Sequence, residues 1–503
     1  MSKTDKIKWR RLDNSAKLFP IVANKKFSSI YRMSVILTQN IEPELLKEAM
    51  EETLKIFTSF KVCLKKGFFW YYLEENEKEV ILHREETYPC RYMDKKTNNG
   101  YLFKVTYYQN KINVEIFHAL TDGSTAIEFV KTIVYYYLNL YYPSQFKEPF
   151  TIKKVQADTK NIEDSYLKNY EKHLHGKENS EKAYILKGNK LLPYQVGVTH
   201  GFISLKPVIK TCRKLKVTVT EYFTAVLIYT IFKQQKQTKS KRPIKVCIPV
   251  NLKNYFDSTT VSNFFSYMTI VAKNTQIDLD DFDFILAFVR NNFKNKLQKQ
   301  EIAKTMAHTV RMGNSIYIRM IPLPIKKLIL KMIYGEIQKY TTTTFSNLGK
   351  INFLPEYEPY VDQFFFIIGP EKAEKIKCTA CSYGNNIVFS FASILQNNEL
   401  EKSFFQFLTD HGMPNTVVTN GIYDKNTKVT NIALAEKNFV DDLTHFMPFT
   451  PSFLNEKGEC ASLVQAADIL TWLEEHPEVK IEKELGVLKN LNEESNPVVV
   501  LVK

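Results

Sequence analysis

The strongest constraint in this chain is an apolar hairpin that runs without a break into a helix. Residues 101–108 and 112–117 suit strands and are joined through Gln109-Asn110-Lys111. The second run alternates Ile112, Val114 and Ile116 with Asn113, Glu115 and Phe117, the two-residue period of a strand. His118-Ala119-Leu120-Thr121-Asp122-Gly123 follows at once, and Ser124 or Thr125 is suited to start a helix reaching about Leu140. A histidine is therefore expected at a strand end, just before a turn and a helix.

The rest of the chain has the same mixed character. Phe27–Leu37 reads as a strand, and Glu42–Phe57 places Leu45, Leu46, Met50 and Leu54 at helical spacing. Gly67–Leu73 and Val80-Ile81-Leu82 read as further strands. Residues 145–195 are polar and irregular, a surface crossing between two halves. Beyond it come a strand near Val196–Leu205, a helix Glu221–Lys233, a strand Ile244–Val250, and helices Asp278–Lys299 and Ile325–Gln338. Strands at Gln363–Ile368, Ile376–Ser382 and Ile387–Ile394 follow, the last two turning at Gly384-Asn385-Asn386. Strands interrupted by single helices, without an internal repeat, predict an α/β (α+β) body in two subdomains, residues 1–175 and 176–415. Residues 416–503 form a separate extension with an expected helix around Ala461–Glu475, a second at Ile481–Asn490, and a terminal strand Val498–Val502 that could pair with an exposed edge.

Composition narrows the class. Of 503 residues, 44% are hydrophobic and 24% charged, outside the disordered and collagenous ranges. Apolar runs such as Ala225–Phe232 stop far short of the roughly 18 residues that cross a bilayer, and no apolar leader follows Met1, so a soluble, cytoplasmic protein is expected. Seven scattered cysteines make no disulfide framework. The net charge of +15 is uneven: residues 421–503 carry −6, leaving +21 on residues 1–420. A basic body attracts anions, whether nucleic acid, membrane surface or phosphorylated cofactor.

Three segments carry candidate chemistry. In His118-x-x-x-Asp122-Gly123 the imidazole can take and return a proton near neutral pH. Asp122 can fix the loop through a cation, and Gly123 permits a turn that a Cβ would obstruct. The competing reading is a packed histidine and a helix-capping aspartate. Pro249-Val250-Asn251-Leu252 and Val261-Ser262-Asn263-Phe264-Phe265-Ser266 frame a loop of amides and hydroxyls that binds a ligand or simply ends strands. Thr344-Phe345-Ser346-Asn347-Leu348-Gly349 follows a helix and offers donors to a developing oxyanion.

Taken in order with Trp9-Arg10-Arg11-Leu12-Asp13, these segments resemble the alcohol acetyltransferase branch of the CoA-dependent acyltransferase superfamily over about residues 8 to 415. Chloramphenicol acetyltransferase, the HxxxD enzymes and condensation domains are its wider relatives. The resemblance implies two chloramphenicol-acetyltransferase-like subdomains around a central tunnel. It implies His118 as general base for direct attack of an alcohol or amine on an acyl-CoA (acetyl-CoA) thioester, with no acyl-enzyme and no permanently bound cofactor. Asp122 becomes structural, held by an arginine with no assigned counterpart in this sequence. Gly123 keeps the loop open, and Ser346, Asn347 and Asn263 are tunnel or oxyanion candidates. Phe117 stands where condensation domains carry a second histidine, which favours CoA over a carrier protein as donor, and the Asp-Phe-Gly-Trp-Gly segment of plant enzymes is missing. A catalytically idle or carrier-protein-dependent binding module in a lipid, polyketide or peptide pathway is the alternative.

The remaining features read as structural. Cys378-x-x-Cys381 lies in an expected strand, where residues three apart face opposite sides, so core cysteines are expected and no metal. His173 and His175 lie in a charged connector. Tyr135-Tyr136-Tyr137 and Tyr141-Tyr142 lack the accompanying pattern of a nucleic-acid binder, and no nucleic acid partner is expected. Lys326, Lys327, Lys331, Tyr334 and Lys339 make either an exposed helix face or a peripheral contact with an anionic membrane. A monomer is expected.

Overall fold

A computed structural model describes residues 9–24, 28–146, 161–176, 181–191, 195–273, 275, 278–413, 417–424, 429–434, 453–454, 460–464, 469–470 and 498–502. The chain forms two compact units, residues 1–198 with 202–416 and residues 199–201 with 417–503.

The first unit opens with β1 (Trp9–Arg11), α1 (Phe19–Val22), β2 (Ile30–Leu37) and α2 (Pro43–Ile56), whose Pro43 sits in the first turn, where its missing N–H costs nothing. Of the expected strand Gly67–Leu73, residues 67–70 are instead the turn between β3 (Val62–Lys66) and β4 (Tyr71–Glu75), and Tyr71–Leu73 open β4. Gly67 N donates to Trp70 O at 2.9 Å, and a Cβ on Gly67 would lie 2.7 Å from that same oxygen, so the chain can reverse here only at a glycine. The run of consecutive apolar residues had no period to betray the turn.

β5 (Leu82–Arg84), β6 (Phe103–Tyr108) and β7 (Lys111–Phe117) complete the opening half. The predicted hairpin is β6–β7, in register from Phe103↔Ile116 to Tyr108↔Lys111. Both faces of β7 are buried, and its two edges are paired in a sheet ordered β12-β2-β7-β6-β5. Its apolar residues join the core shared with α2 and α3 (Gly123–Tyr141). Its polar alternates meet charges instead: Glu115 accepts from Arg32 Nε at 2.9 Å, Arg32 also pairs with Glu85, and Lys111 lies 2.8 Å from Glu85. Burial alone would raise the Glu85 pKa, but Arg32 and Lys111 hold it at about 2.

Next come α4 (Ser165–Lys168), β8 (Gly197–Ser204), α5 (Leu205–Leu215), α6 (Val219–Gln237), β9 (Ile244–Asn251) and β10 (Phe265–Ala272). α6 starts on a capping box of Thr218 and Glu221 and is buried on nearly every side. The single helix expected over Asp278–Lys299 is shorter and is followed by another. α7 (Phe282–Lys296) is capped by Asp281, which accepts from Asp283 N and Phe284 N, and α8 (Lys299–Asn314) starts after a break at Leu297-Gln298. α9 (Ile316–Met320), α10 (Leu323–Ile337), β11 (Thr343–Lys350), β12 (Val361–Ile368), β13 (Ile376–Tyr383), β14 (Asn386–Ser393) and α11 (Glu399–Asp410) follow. The second sheet of this unit runs β10-β9-β11-β13-β14-β8, with β11 parallel to both β9 and β13. β12, far beyond the expected boundary at 175, pairs antiparallel with β2 and so closes the first sheet. The body is mixed α/β, as expected.

In the second unit β15 (Val417–Asp424) pairs with β16 (Val429–Leu434), and β18 (Cys460–Val464) lies between β17 (Phe453–Leu454) and β19 (Val498–Val502). Residues 461–464 are therefore strand, not the start of the expected helix, and the terminal strand has β18 as its partner. The helix expected at 481–490 lies outside the described residues. No single described helix is long and apolar enough to cross a membrane.

Candidate functional site

The turn after β7 is held by three residues of the 261–264 segment. Thr121 Oγ1 donates to Val261 O at 2.6 Å, Asp122 Oδ2 accepts from Phe264 N at 3.1 Å, and His118 Nδ1 lies 3.0 Å from Asn263 Oδ1. Tyr31 adds a hydroxyl that donates to Thr121 O at 3.1 Å. A loop near residue 120 and a loop near residue 262 thus act as one piece.

Asp122 caps α3, accepting from Thr125 N at 3.2 Å and Ser124 Oγ at 2.7 Å, so the helix is capped two residues earlier than Ser124. The cation beside it is a lysine and not an arginine. Lys253 Nζ lies 3.4 Å from Asp122 Oδ2 and donates to Ser124 Oγ at 3.0 Å and Thr125 Oγ1 at 3.2 Å. The Pro249–Leu252 segment delivers it, since Asn251 Oδ1 accepts from Lys253 N at 3.0 Å and turns the chain there. Gly123 has no left-handed backbone. A Cβ there would lie 3.1 Å from Leu348 Cδ2 of β11, so the leucine side chain would have to shift by a few tenths of an ångström.

His118 is only partly exposed. Phe19 stacks on its ring at 4.7 Å, with Tyr31 at 5.2 Å and Phe265 at 5.1 Å. Burial lowers its pKa below the ordinary 6.5, against its own backbone and Asn263, which favour the charged ring. The orientation of Asn263 is fixed by chemistry. Asp13 Oδ2 accepts from Asn263 Nδ2 at 3.1 Å and from Asn263 N at 3.2 Å, so the amide NH₂ faces the carboxylate and only its oxygen faces the histidine. Nδ1 of His118 must then be the donor, and Nε2, which has no hydrogen-bond partner among the described residues, is the bare nitrogen. Asp13 is itself held by Ala16 N at 2.8 Å and Ser15 Oγ at 2.9 Å, while burial raises its pKa.

Asn263 is therefore the partner of the imidazole. Ser346 and Asn347 lie on β11, a central strand, and point to opposite faces. Asn347 is committed elsewhere, donating to Thr220 Oγ1 at 3.0 Å and accepting from Gly349 N at 2.9 Å. Ser346 remains the β11 hydroxyl candidate. Leu348, in the same strand, reaches Gly123. Neither Lys253 nor the role of Asp13 has a local signature in the sequence, although both lie in or beside the Trp9–Asp13 and Pro249–Leu252 motifs.

The other candidates are structural. Cys378 Sγ lies 3.7 Å from Thr343 Oγ1, Cys381 Sγ is 3.4 Å from Phe364 O, and burial raises the pKa of both. No group of acid, histidine and cysteine side chains among the described residues is arranged to hold a metal ion. His173 pairs at 3.5 Å with Glu171, and His175 lies 3.0 Å from Arg311. A cleft of about 600 Å³ lies beside the start of α6, lined by Lys216, Thr218, Glu221, Arg290 and Lys294 among others.

Residues 200–503 match the profile of a family described as "Domain of unknown function (DUF4934)". No curated protein matches in sequence. Solved structures do match in fold. Polyketide synthase associated protein 5 from Mycobacterium tuberculosis aligns at 13% identity with a TM-score of 0.54, covering 79% of this chain and 96% of that one. TRI101 of F. sporotrichioides, solved with coenzyme A and T-2, aligns at 10% identity and 0.54 over 79% and 97%. A starter condensation domain of rhizomide synthetase RzmA, solved with C8-CoA, aligns at 10% and 0.53 over 80% and 94%. The chain shares the two-subdomain fold of these proteins.

Proposed function

The chain belongs to the DUF4934 family, a domain of unknown function, and we propose that it is an acyl-CoA-dependent acyltransferase, an O-acyltransferase moving an acetyl group to a small alcohol. The observation that carries this reading is the bare Nε2 of His118, left as the acceptor because Asp13 orients Asn263 and Asn263 Oδ1 accepts the hydrogen bond of Nδ1–H. Neighbours of the same fold crystallised with coenzyme A or C8-CoA add weight.

In this reading Nε2 takes the hydroxyl proton of the acceptor as its oxygen bonds to the thioester carbonyl carbon. The tetrahedral oxyanion is met by a donor near β11, for which Ser346 is the candidate. On collapse the C–S bond breaks, and the thiolate leaves with the proton held by His118. Asp122 and Lys253 hold the turn and touch no substrate. The cationic cleft of Lys216, Arg290 and Lys294 suits the phosphates of the donor.

The test is thiol release from acetyl-CoA with a panel of alcohols and, separately, amines, with the product identified by mass. Release that requires an alcohol and vanishes in His118→Ala supports the reading. Release only with amines overturns the O-transfer assignment. No release with any acceptor from CoA or carrier-protein thioesters makes the fold a binding module.

A further inference from the structure

We infer that the outward face of α9 and α10 docks this protein on an anionic phospholipid bilayer. α10 is inverted relative to an ordinary surface helix. Its inward positions include Lys326, which is 1% exposed, and Tyr334. Lys326 Nζ donates to Phe69 O at 2.8 Å and sits 3.6 Å over the Trp70 ring, and Tyr334 OH donates to Glu371 at 3.0 Å. The expected basic face thus loses two of its members to the interior. The outward positions are Ile325, Leu328, Ile329, Met332 and Ile333, at the spacing of one helix face, with Leu328 65% and Met332 67% exposed. Single exposed apolar side chains are ordinary, but a stripe of them marks an interaction surface.

The stripe continues onto neighbouring elements. Ile316, Tyr317 and Met320 of α9 are exposed, Tyr317 at 83%. The β3–β4 turn also joins it: Leu323 N donates to Phe68 O at 2.9 Å, and the Phe68 ring is exposed. Segments some 250 residues apart in sequence therefore meet at one apolar edge.

The charge pattern selects the occupant. Apart from the inward Lys326, residues 315–339 contain Arg319, Lys327, Lys331 and Lys339 against Glu336 alone, a net of +3. Protein interface cores favour Trp, Tyr and Arg and are poor in Lys. Aliphatic side chains flanked by lysines match a lipid surface, where the stripe enters the acyl boundary and the ammonium groups meet anionic headgroups. No shape complement is needed for that. The inference is independent of the transferase reading, because its readout is binding.

The test is co-sedimentation of the full chain with vesicles of phosphatidylcholine alone or of equimolar phosphatidylcholine and phosphatidylglycerol. Binding is expected to the anionic vesicles and to weaken with salt. Leu328→Ser with Met332→Ser should abolish it. Lys327→Glu with Lys331→Glu should reduce it roughly tenfold or more. Lys206→Glu with Lys210→Glu, on exposed positions of α5, should leave it unchanged. Circular dichroism checks that each variant folds. Failure of the wild-type chain to sediment at low salt, or binding indifferent to the stripe, overturns the proposal. So does self-association in solution that the Leu328→Ser/Met332→Ser variant abolishes while vesicles are ignored, which would assign the face to a second copy.

Discussion

His118 and Asp122 share one turn yet have opposite surroundings. Both oxygens of Asp122 are taken by a helix start, a strand start and a lysine, so the group is spent on holding the loop. His118 is held from one side only, at Nδ1, and its other nitrogen is left without a partner among the described residues. A side chain with every polar atom satisfied has no donor or acceptor left for a ligand, whereas one held at a single atom keeps one. Of the two readings of the motif, the helix-capping aspartate is observed at Asp122, while the histidine keeps one nitrogen open for the proposed chemistry.

That contrast breaks most sharply on substitution. His118→Ala should lower kcat/KM by about 10³-fold with little change in the denaturation midpoint. Asp122→Ala leaves Lys253 without its carboxylate and should cost about 3 kcal/mol of stability, read by denaturant titration, with activity falling only as the loop loosens. Equal damage to stability in both variants would erase the distinction. Asn263→Ala should lower kcat roughly tenfold to a hundredfold at nearly constant KM, because the tautomer is no longer enforced.

The pH profile sharpens the same point. A base must be unprotonated, and burial lowers the His118 pKa, so the acid limb of kcat/KM should fall below 6.5. Asn263 favours the charged ring, so removing it should move that limb further down, a shift that a purely structural role would not produce. The smallest effect is expected at the cleft beside α6, where Arg290→Ala should raise KM for the acyl donor a few-fold and leave kcat unchanged.

The hairpin, the histidine at its end and the following helix were legible because each has a local signature: a two-residue alternation, a turn, a cap. Lys253 was not, since its partnership with Asp122 joins residues 131 positions apart. Nor was the direction of α10, because a helical period reads the same whether its stripe points in or out, and only the packing of Lys326 on Trp70 decides it. β11 was not legible as a strand because its threonines, serine and asparagine look like turn residues until β9 and β13 bracket them. The expected arginine came from resemblance alone, and the geometry puts Lys253 in its place.

β12 carries a consequence for how the body is held together. Its residues come late in the chain, yet they border the sheet that holds the histidine-bearing hairpin. Severing the polypeptide near 175 would therefore not yield two free-standing lobes: the leading fragment would present β2 as a bare, sticky margin, prone to pair with other molecules until the missing strand was supplied in trans.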